Sequence, residues 1–240
     1  MVTAIAGEGT AEPAWLAWPA LHGWPELDRS DMDDPVVVAA HPDDEVLGAG
    51  GLLALARRIE LVAATDGEAS HPESTVYTRA GLAAVRRAET GAALRRLGLE
   101  GVPVHRLGHP DGGVDEEALG AYLTRLLVPG RWCLSTWRGD GHPDHEAVGR
   151  AAATACAATG ARLVEYPIWL WHWARPDDAR VPWDRARVVP LPDRVRAAKA
   201  AAVAEFASQI RPLGPDPADA AILPPAVLAR FQRPMEVYFA

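Results

Sequence analysis

The 240-residue sequence predicts a single α/β domain whose doubly wound, mainly parallel sheet carries helices on both faces in three layers. Three observations predict it. Between residues 35 and 166, short apolar runs alternate with helical segments in the order βαβαβαβαβ, which favours a parallel sheet with right-handed crossovers. Several of those runs stop abruptly at histidines and acids, as strands do at the carboxyl edge of an open sheet where ligands bind. The chain is also long enough to bury a full core and shows neither a solenoid-period repeat nor a long low-complexity linker.

Residues 1–34, rich in Ala, Pro, Trp and then Asp, read as an irregular arm anchored on the domain by Trp15, Trp18 and Trp24. The first strand is Pro35–Ala40, and the helix after it runs from about Val46 to Arg58. Ile59 to Thr65 forms a second strand that ends in Asp66-Gly67-Glu68. A loop over 69–77 leads to a helix from Thr78 to Leu97, with Leu82, Val85, Ala88 and Ala92 near helical spacing and Gly98 as its cap. Val102–Leu107 is the third strand, and Asp115 opens a helix through Leu127 that Pro129-Gly130 ends. The fourth strand is Arg131–Trp137. An alanine-rich helix then runs to about Thr159, closed by Gly160, before a fifth strand at Arg162–Tyr166. Trp169, Trp171 and Trp173 alternate like one face of an extended segment, suited to rim packing or to stacking on a sugar. A strand at Arg187–Leu191, a helix at Asp193–Ile210 and an edge strand at Met235–Phe239 complete an extension, 167–240, packed on a Rossmann-like core, 35–166.

Composition narrows the function. A net charge of −8 and a pI near 5.5 disfavour nucleic acid or an anionic membrane as partner. No apolar run reaches the roughly 20 residues a membrane span needs. Cys133 and Cys156 are too few for a disulfide framework and lack thiolate-zinc spacing, so they read as reduced, buried thiols. The acidic N-terminus lacks the features of a signal peptide, and a cytoplasmic location is expected.

Chemistry concentrates in two loops. After strand one stand His41, Asp43, Asp44 and Glu45; after strand four stand His142, Asp144 and His145. Side-by-side carboxylates have no place in an apolar core, because burying them unpaired costs several kcal/mol or shifts their pKa. In a doubly wound sheet strands one and four are neighbours across the switch point, so loops about a hundred residues apart should face each other. Two imidazoles and a carboxylate with one open position form the donor set of a catalytic zinc site. Such an ion lowers the pKa of water and polarises a carbonyl oxygen. The spare acid and spare histidine suit acid–base work.

Ala40-His41-Pro42-Asp43-Asp44-Glu45 and His142-Pro143-Asp144-His145 resemble the two signature motifs of the PIG-L/LmbE-like zinc-dependent N-deacetylases. That resemblance implies that His41, Asp44 and His145 bind zinc and that Asp43 deprotonates the zinc-bound water. It makes His142 the acid or oxyanion stabiliser, with Asp144 orienting or charging it. It also implies substrate-facing roles for Arg86, in the Arg-x-x-Glu formed with Glu89, and for Asp111, in Leu107-Gly108-His109-Pro110-Asp111-Gly112. Asp140 stands where some members carry an oxyanion-binding tyrosine; the resemblance therefore implies a substrate-facing position for Asp140, with the oxyanion left to zinc and His142. The implied enzyme is a hydrolase of a linear amide C–N bond that removes an acetyl or other acyl group from an amino sugar or related small metabolite. His/Asp/His ligation also accommodates Fe2+ or Co2+, and the family's trimers and hexamers raise the expectation of a homo-oligomer.

Some features have simpler explanations. An Asp at the position of Asp144 is often only a helix cap, and Asp66-Gly67 fits turn chemistry. His71 and His109 lack a second ligand at short spacing. Gly48-x-Gly50 would suit a nucleotide-binding Rossmann enzyme, but Leu53 takes the third glycine position and the preceding loop is acidic. A metal-binding scaffold without catalysis is the remaining alternative, disfavoured by Asp43 and His142 standing beside the ligands.

Overall fold

The computed structural model describes residue 5, residues 7–56 and residues 58–240. Residues 1–4 and 6 of the expected arm, and residue 57 in the expected first helix, lie outside the described residues. In chain order the strands are β1 (Val36–Ala39), β2 (Glu60–Ala63), β3 (Val104–Arg106), β4 (Trp132–Thr136), β5 (Arg162–Tyr166), β6 (Ala186–Pro190) and β7 (Met235–Phe239). The helices are α1 (Glu12–Leu16), α2 (Asp44–Leu55), α3 (Arg79–Arg96), α4 (Glu116–Leu126), α5 (Pro143–Thr159), α6 (Leu170–Trp173), α7 (Asp193–Val203), α8 (Ala207–Ile210) and α9 (Pro225–Leu228).

The sheet order is β3-β2-β1-β4-β5-β7-β6. Strand β1 pairs in parallel with both β2 and β4, Val36 lying opposite Glu60 on one side and Cys133 on the other. The chain therefore winds outward through β2 and β3, then returns past β1 to β4, which makes the β1/β4 junction the switch point. All four β1 residues are buried, as the run Val36-Val37-Val38 requires of a strand covered on both faces. Alternate residues serve the two faces. Val37, Ala39, Leu61 and Leu134 pack with Leu47 of α2, Leu94 of α3 and Val195 of α7. Val36, Val38, Val62 and Cys133 pack with Leu119 and Leu123 of α4 and Val148 of α5. The three layers follow. Cys133 and Cys156 are buried free thiols, as expected.

The chain departs from its sequence pattern at four places. The arm is not wholly irregular: it holds α1 and a 3-10 turn, Pro19–His22. Its anchors are tryptophans, with Trp15 edge-on to Trp171 at 5.1 Å and Trp24 stacked on Trp183 at 5.4 Å. The segment around Trp171 is helical rather than extended. Its start is curled by the Asp140 carboxylate, which accepts the N–H groups of Ile168, Trp169 and Leu170 at 2.9–3.0 Å. The helix expected over 193–210 breaks into α7 and α8, because Phe206 buries itself and Glu89 takes both the N–H and the hydroxyl of Ser208. Finally β7 is an interior strand, antiparallel to β5 and β6, and β6 forms the edge. Val237, Tyr238 and Phe239 are all buried, which an edge strand would not require. Among the described residues no helix is long and apolar enough to cross a membrane.

The glycines after β1 serve packing. A Cβ on Gly48 would run into the Tyr166 ring, and one on Gly51 into Leu191. Tyr166 cannot yield easily, because its hydroxyl donates to the Val38 carbonyl at 2.7 Å. Gly48→Ala is therefore expected to destabilise the fold by about 1–3 kcal/mol, although alanine is the better helix former. Thermal unfolding checks this; an unchanged or raised midpoint would refute it.

Candidate metal centre

The loop after β1 turns sharply and carries His41, Asp43 and Asp44 within four residues. Asp43 takes φ 125° and ψ −30°, a backbone region that favours glycine and that costs of order 1–3 kcal/mol for other residues. Two acids tie the turn: Asp44 accepts the His41 N–H at 2.8 Å, and Glu45 accepts the Asp43 N–H at 3.2 Å. Glu45 is fully buried, and that burial pushes its carboxyl up to about 8. From the other side, His142 caps α5 by accepting the Asp144 N–H on Nδ1 at 3.2 Å. His145 then follows in the first helical turn.

The two loops meet as the topology predicts. Nδ1 of His41 lies 3.2 Å from Nε2 of His145. An Asp44 oxygen lies 3.6 Å from the first nitrogen and 3.3 Å from the second. Donors arranged tetrahedrally at zinc's bond lengths of about 2.0–2.1 Å stand about 3.3–3.4 Å apart, so these atoms fit around one ion.

The outer ring nitrogens sharpen this fit. Nε2 of His41 sits 3.1 Å from both Asp111 and Asp144, and Nδ1 of His145 sits 2.8 Å from Asp140. Ionised carboxylates only accept hydrogen bonds, so both outer nitrogens carry the N–H. Two neutral imidazoles so oriented would point lone pairs at each other across 3.2 Å, and only a cation reconciles them. Either a proton or a metal ion can take that place. Burial alone would lower the His41 pKa, but hydrogen bonds to Asp111, Asp144 and Asp44 hold it well above the usual value.

Among the described residues two other donor sets converge closely enough to hold an ion: His41 with His142 and His145, and His41 with Asp111 and Asp144. In the second, the carboxylates are already satisfied. Asp144 accepts the N–H groups of Gly112 and Val114, and Asp111 accepts that of Ala69. A single N–H of His41 completes that group.

Asp43 and His142 flank the cluster. Burial raises the Asp43 carboxyl to about 7, with the Arg86 charge opposing and the Asp44 charge assisting. Burial and the neighbouring His145 and His41 lower His142 to about 3, so it is a neutral imidazole with its proton on Nε2. Its ring centroid lies 4.8 Å from that of His41 and 4.7 Å from that of His145.

Arg86, Asp111 and Asp140, expected at the substrate, and Asp144, expected to orient or charge His142, make the following contacts. Arg86 is buried and donates to the Gly67 and Pro42 carbonyls at 2.8 and 2.7 Å and to Asp43 at 3.1 Å, so it grips the acid rather than a ligand. Asp111, held mostly by its bond from His41 against burial, falls to about 2 and supports that ring. Asp140 is fully buried with both oxygens engaged, which leaves nothing for a substrate. Asp144 does not cap α5; it ties the 112–114 loop to His41. Glu68 accepts the Asp111 N–H at 3.0 Å, and Asp66 pairs with Arg87 and Arg106. His71 and His109 bind other partners, Ala220 and Asp115. The backbone amides of 168–170 had no signal in the sequence beyond following β5. A cavity of about 1030 Å³ lies next along the carboxyl edge, between the loops after β4 and β5, with Trp137, Gly141, Glu146, Trp173, Arg175 and Arg180 in its walls.

The fold and donor set define a class: a doubly wound α/β protein with a candidate His/Asp/His centre at its switch point. The family described as PIG-L: GlcNAc-PI de-N-acetylase matches residues 36–156, half the chain, and the protein belongs to that family. Sequence comparison with curated proteins gives no match. Among solved structures, the A40926 pseudoaglycone deacetylase Dbv21 is 21% identical, with 87% of this chain and 97% of that one covered and a TM-score of 0.60. The N,N'-diacetylchitobiose deacetylase of Pyrococcus horikoshii is 18% identical, covering 78% and 73%, with a TM-score of 0.57. GalB, the 4-carboxy-2-hydroxymuconate hydratase of Pseudomonas putida KT2440, is 21% identical, covering 74% and 85%, with a TM-score of 0.51. At such identities the likeness establishes the fold.

Proposed function

We propose that the protein is a divalent-metal-dependent hydrolase that removes an acetyl or related acyl group from the amine of a sugar-containing small molecule. The observation that carries the metal is the pair of imidazoles whose outer N–H groups are both committed to carboxylates, leaving two facing lone pairs beside Asp44. The family supports the N-deacetylase reading, and two of the structural relatives are deacetylases by name, one of N,N'-diacetylchitobiose and one of A40926 pseudoaglycone.

A divalent ion, zinc by preference, held by His41, Asp44 and His145 would supply Lewis-acid polarisation of the amide carbonyl and a lowered pKa for the attacking water. The chain's own groups do the rest. Asp43, a buried carboxylate beside the candidate ligands, is placed to remove the proton from that water. Arg86 holds it in place. His142, fixed as a neutral imidazole, presents Nε2–H as a donor for the oxyanion. That is a better fit to its lowered pKa than protonating the amine, and Asp43 can return its proton to the departing nitrogen.

GalB keeps a second reaction class in view, since hydration also needs an activated water. Incubation of the zinc-loaded protein with N-acetylglucosamine and with N-acetylated glycosides tests the reading. Release of acetate with a free amine is expected; absence of turnover across such a panel, with turnover on an unsaturated acid, would favour hydration. His145→Ala should lose stoichiometric zinc by elemental analysis, and full retention would remove it as a ligand.

A further inference from the structure

Asp140 occupies a position where direct contact with substrate was expected, yet it is fully buried. Its Oδ2 lies 2.8 Å from His145 Nδ1 and also accepts the Trp169 N–H at 2.9 Å, while Oδ1 accepts the N–H groups of Ile168 and Leu170 at 2.9 and 3.0 Å. Four donors converge on one buried carboxylate. Its backbone is held too, because the Trp173 indole N–H donates to the Asp140 carbonyl at 2.8 Å.

We infer that Asp140 is a positioning residue that locks His145 in the Nδ1–H tautomer and so keeps Nε2 free to bind the ion. This rests on the metal-centre reading above. The three amides matter because they hold the carboxylate rigidly: it cannot rotate away from the ring without leaving these N–H groups unpaired. The amides come from the start of the tryptophan-bearing extension, so residues 168–170 fix the ligand through Asp140 without approaching it. A carboxylate behind a metal-binding imidazole fixes its orientation and raises its basicity, and loss of such a partner costs about 10–100-fold in metal affinity.

The discriminating variant is Asp140→Asn. Its single oxygen can serve Ile168 and Leu170, but its amide nitrogen would then face the Trp169 N–H and His145 Nδ1. The ring would be driven to accept on Nδ1 and carry its proton on Nε2, where the ion must bind. The expected results are a folded variant by circular dichroism, zinc affinity weaker by about 10–100-fold, and a switch of the His145 imidazole 15N pattern to the Nε2–H form in metal-free protein. Wild-type zinc affinity in the folded variant would overturn the inference. Should the variant not fold, the tautomer of His145 in the metal-free wild type decides: Nδ1–H is expected, and Nε2–H overturns it. If the wild type binds no divalent ion, the metal-centre reading fails instead, and the tautomer measurement still reports on Asp140.

Discussion

Asp43→Asn is expected to keep its metal and lose about 10²–10⁴-fold in turnover, the range a positioned general base contributes. Asparagine preserves the shape of the side chain and can still accept from Arg86, so the turn at φ 125° is disturbed less than by truncation. It cannot take a proton. Burial raises the native carboxyl toward neutrality against the pull of Arg86, so the folded protein has already met most of the cost of a neutral group here, and stability should change little. Acetate release and zinc content measured on one preparation check the prediction. Turnover within a few-fold of wild type would sink the assignment of Asp43 as base, and parallel loss of zinc would show a ligand or folding role instead.

The second large effect concerns stability. Lys199 on α7 is buried and donates to the Leu47 carbonyl at 2.8 Å and to Glu236 on β7 at 2.7 Å. Glu236 also accepts the N–H groups of Gly51 and Leu52 and the Tyr238 hydroxyl. This knot joins α2, whose first turn carries Asp44, to the extension. Lys199→Met should leave Glu236 as an uncompensated buried charge and destabilise by about 3–5 kcal/mol, lowering the melting midpoint by about 6–20 °C for a chain of this size. Lys199→Met combined with Glu236→Gln should recover part of that loss. A single variant that melts like wild type would show that the pair contributes specificity rather than stability.

These two cases illustrate what was legible in the residues. Asp43 stands in a motif whose chemistry is local: a strand of valines must be buried, it must end, and the acids follow at its carboxyl end, where the loop turns. Its facing partner, His142 to His145, was legible because winding order alone sets β1 beside β4. Lys199 and Glu236 carried no such signal. They lie in unrelated segments, and nothing local distinguishes a buried lysine from a solvated one.

The same division runs through the centre itself. By itself the sequence determined the α/β order, the switch point and the candidate donors His41, Asp44 and His145, because periodicity and motif are properties of neighbouring residues. Only the tertiary structure decided the partners of the remaining charged groups. Arg86 turned inward to Asp43, Asp111 and Asp144 converged on His41, and Asp140 reached His145 and three amides of a later segment. The physical reason is that a buried charge must find its partners in three dimensions, and those partners come from strands and loops far apart in the chain.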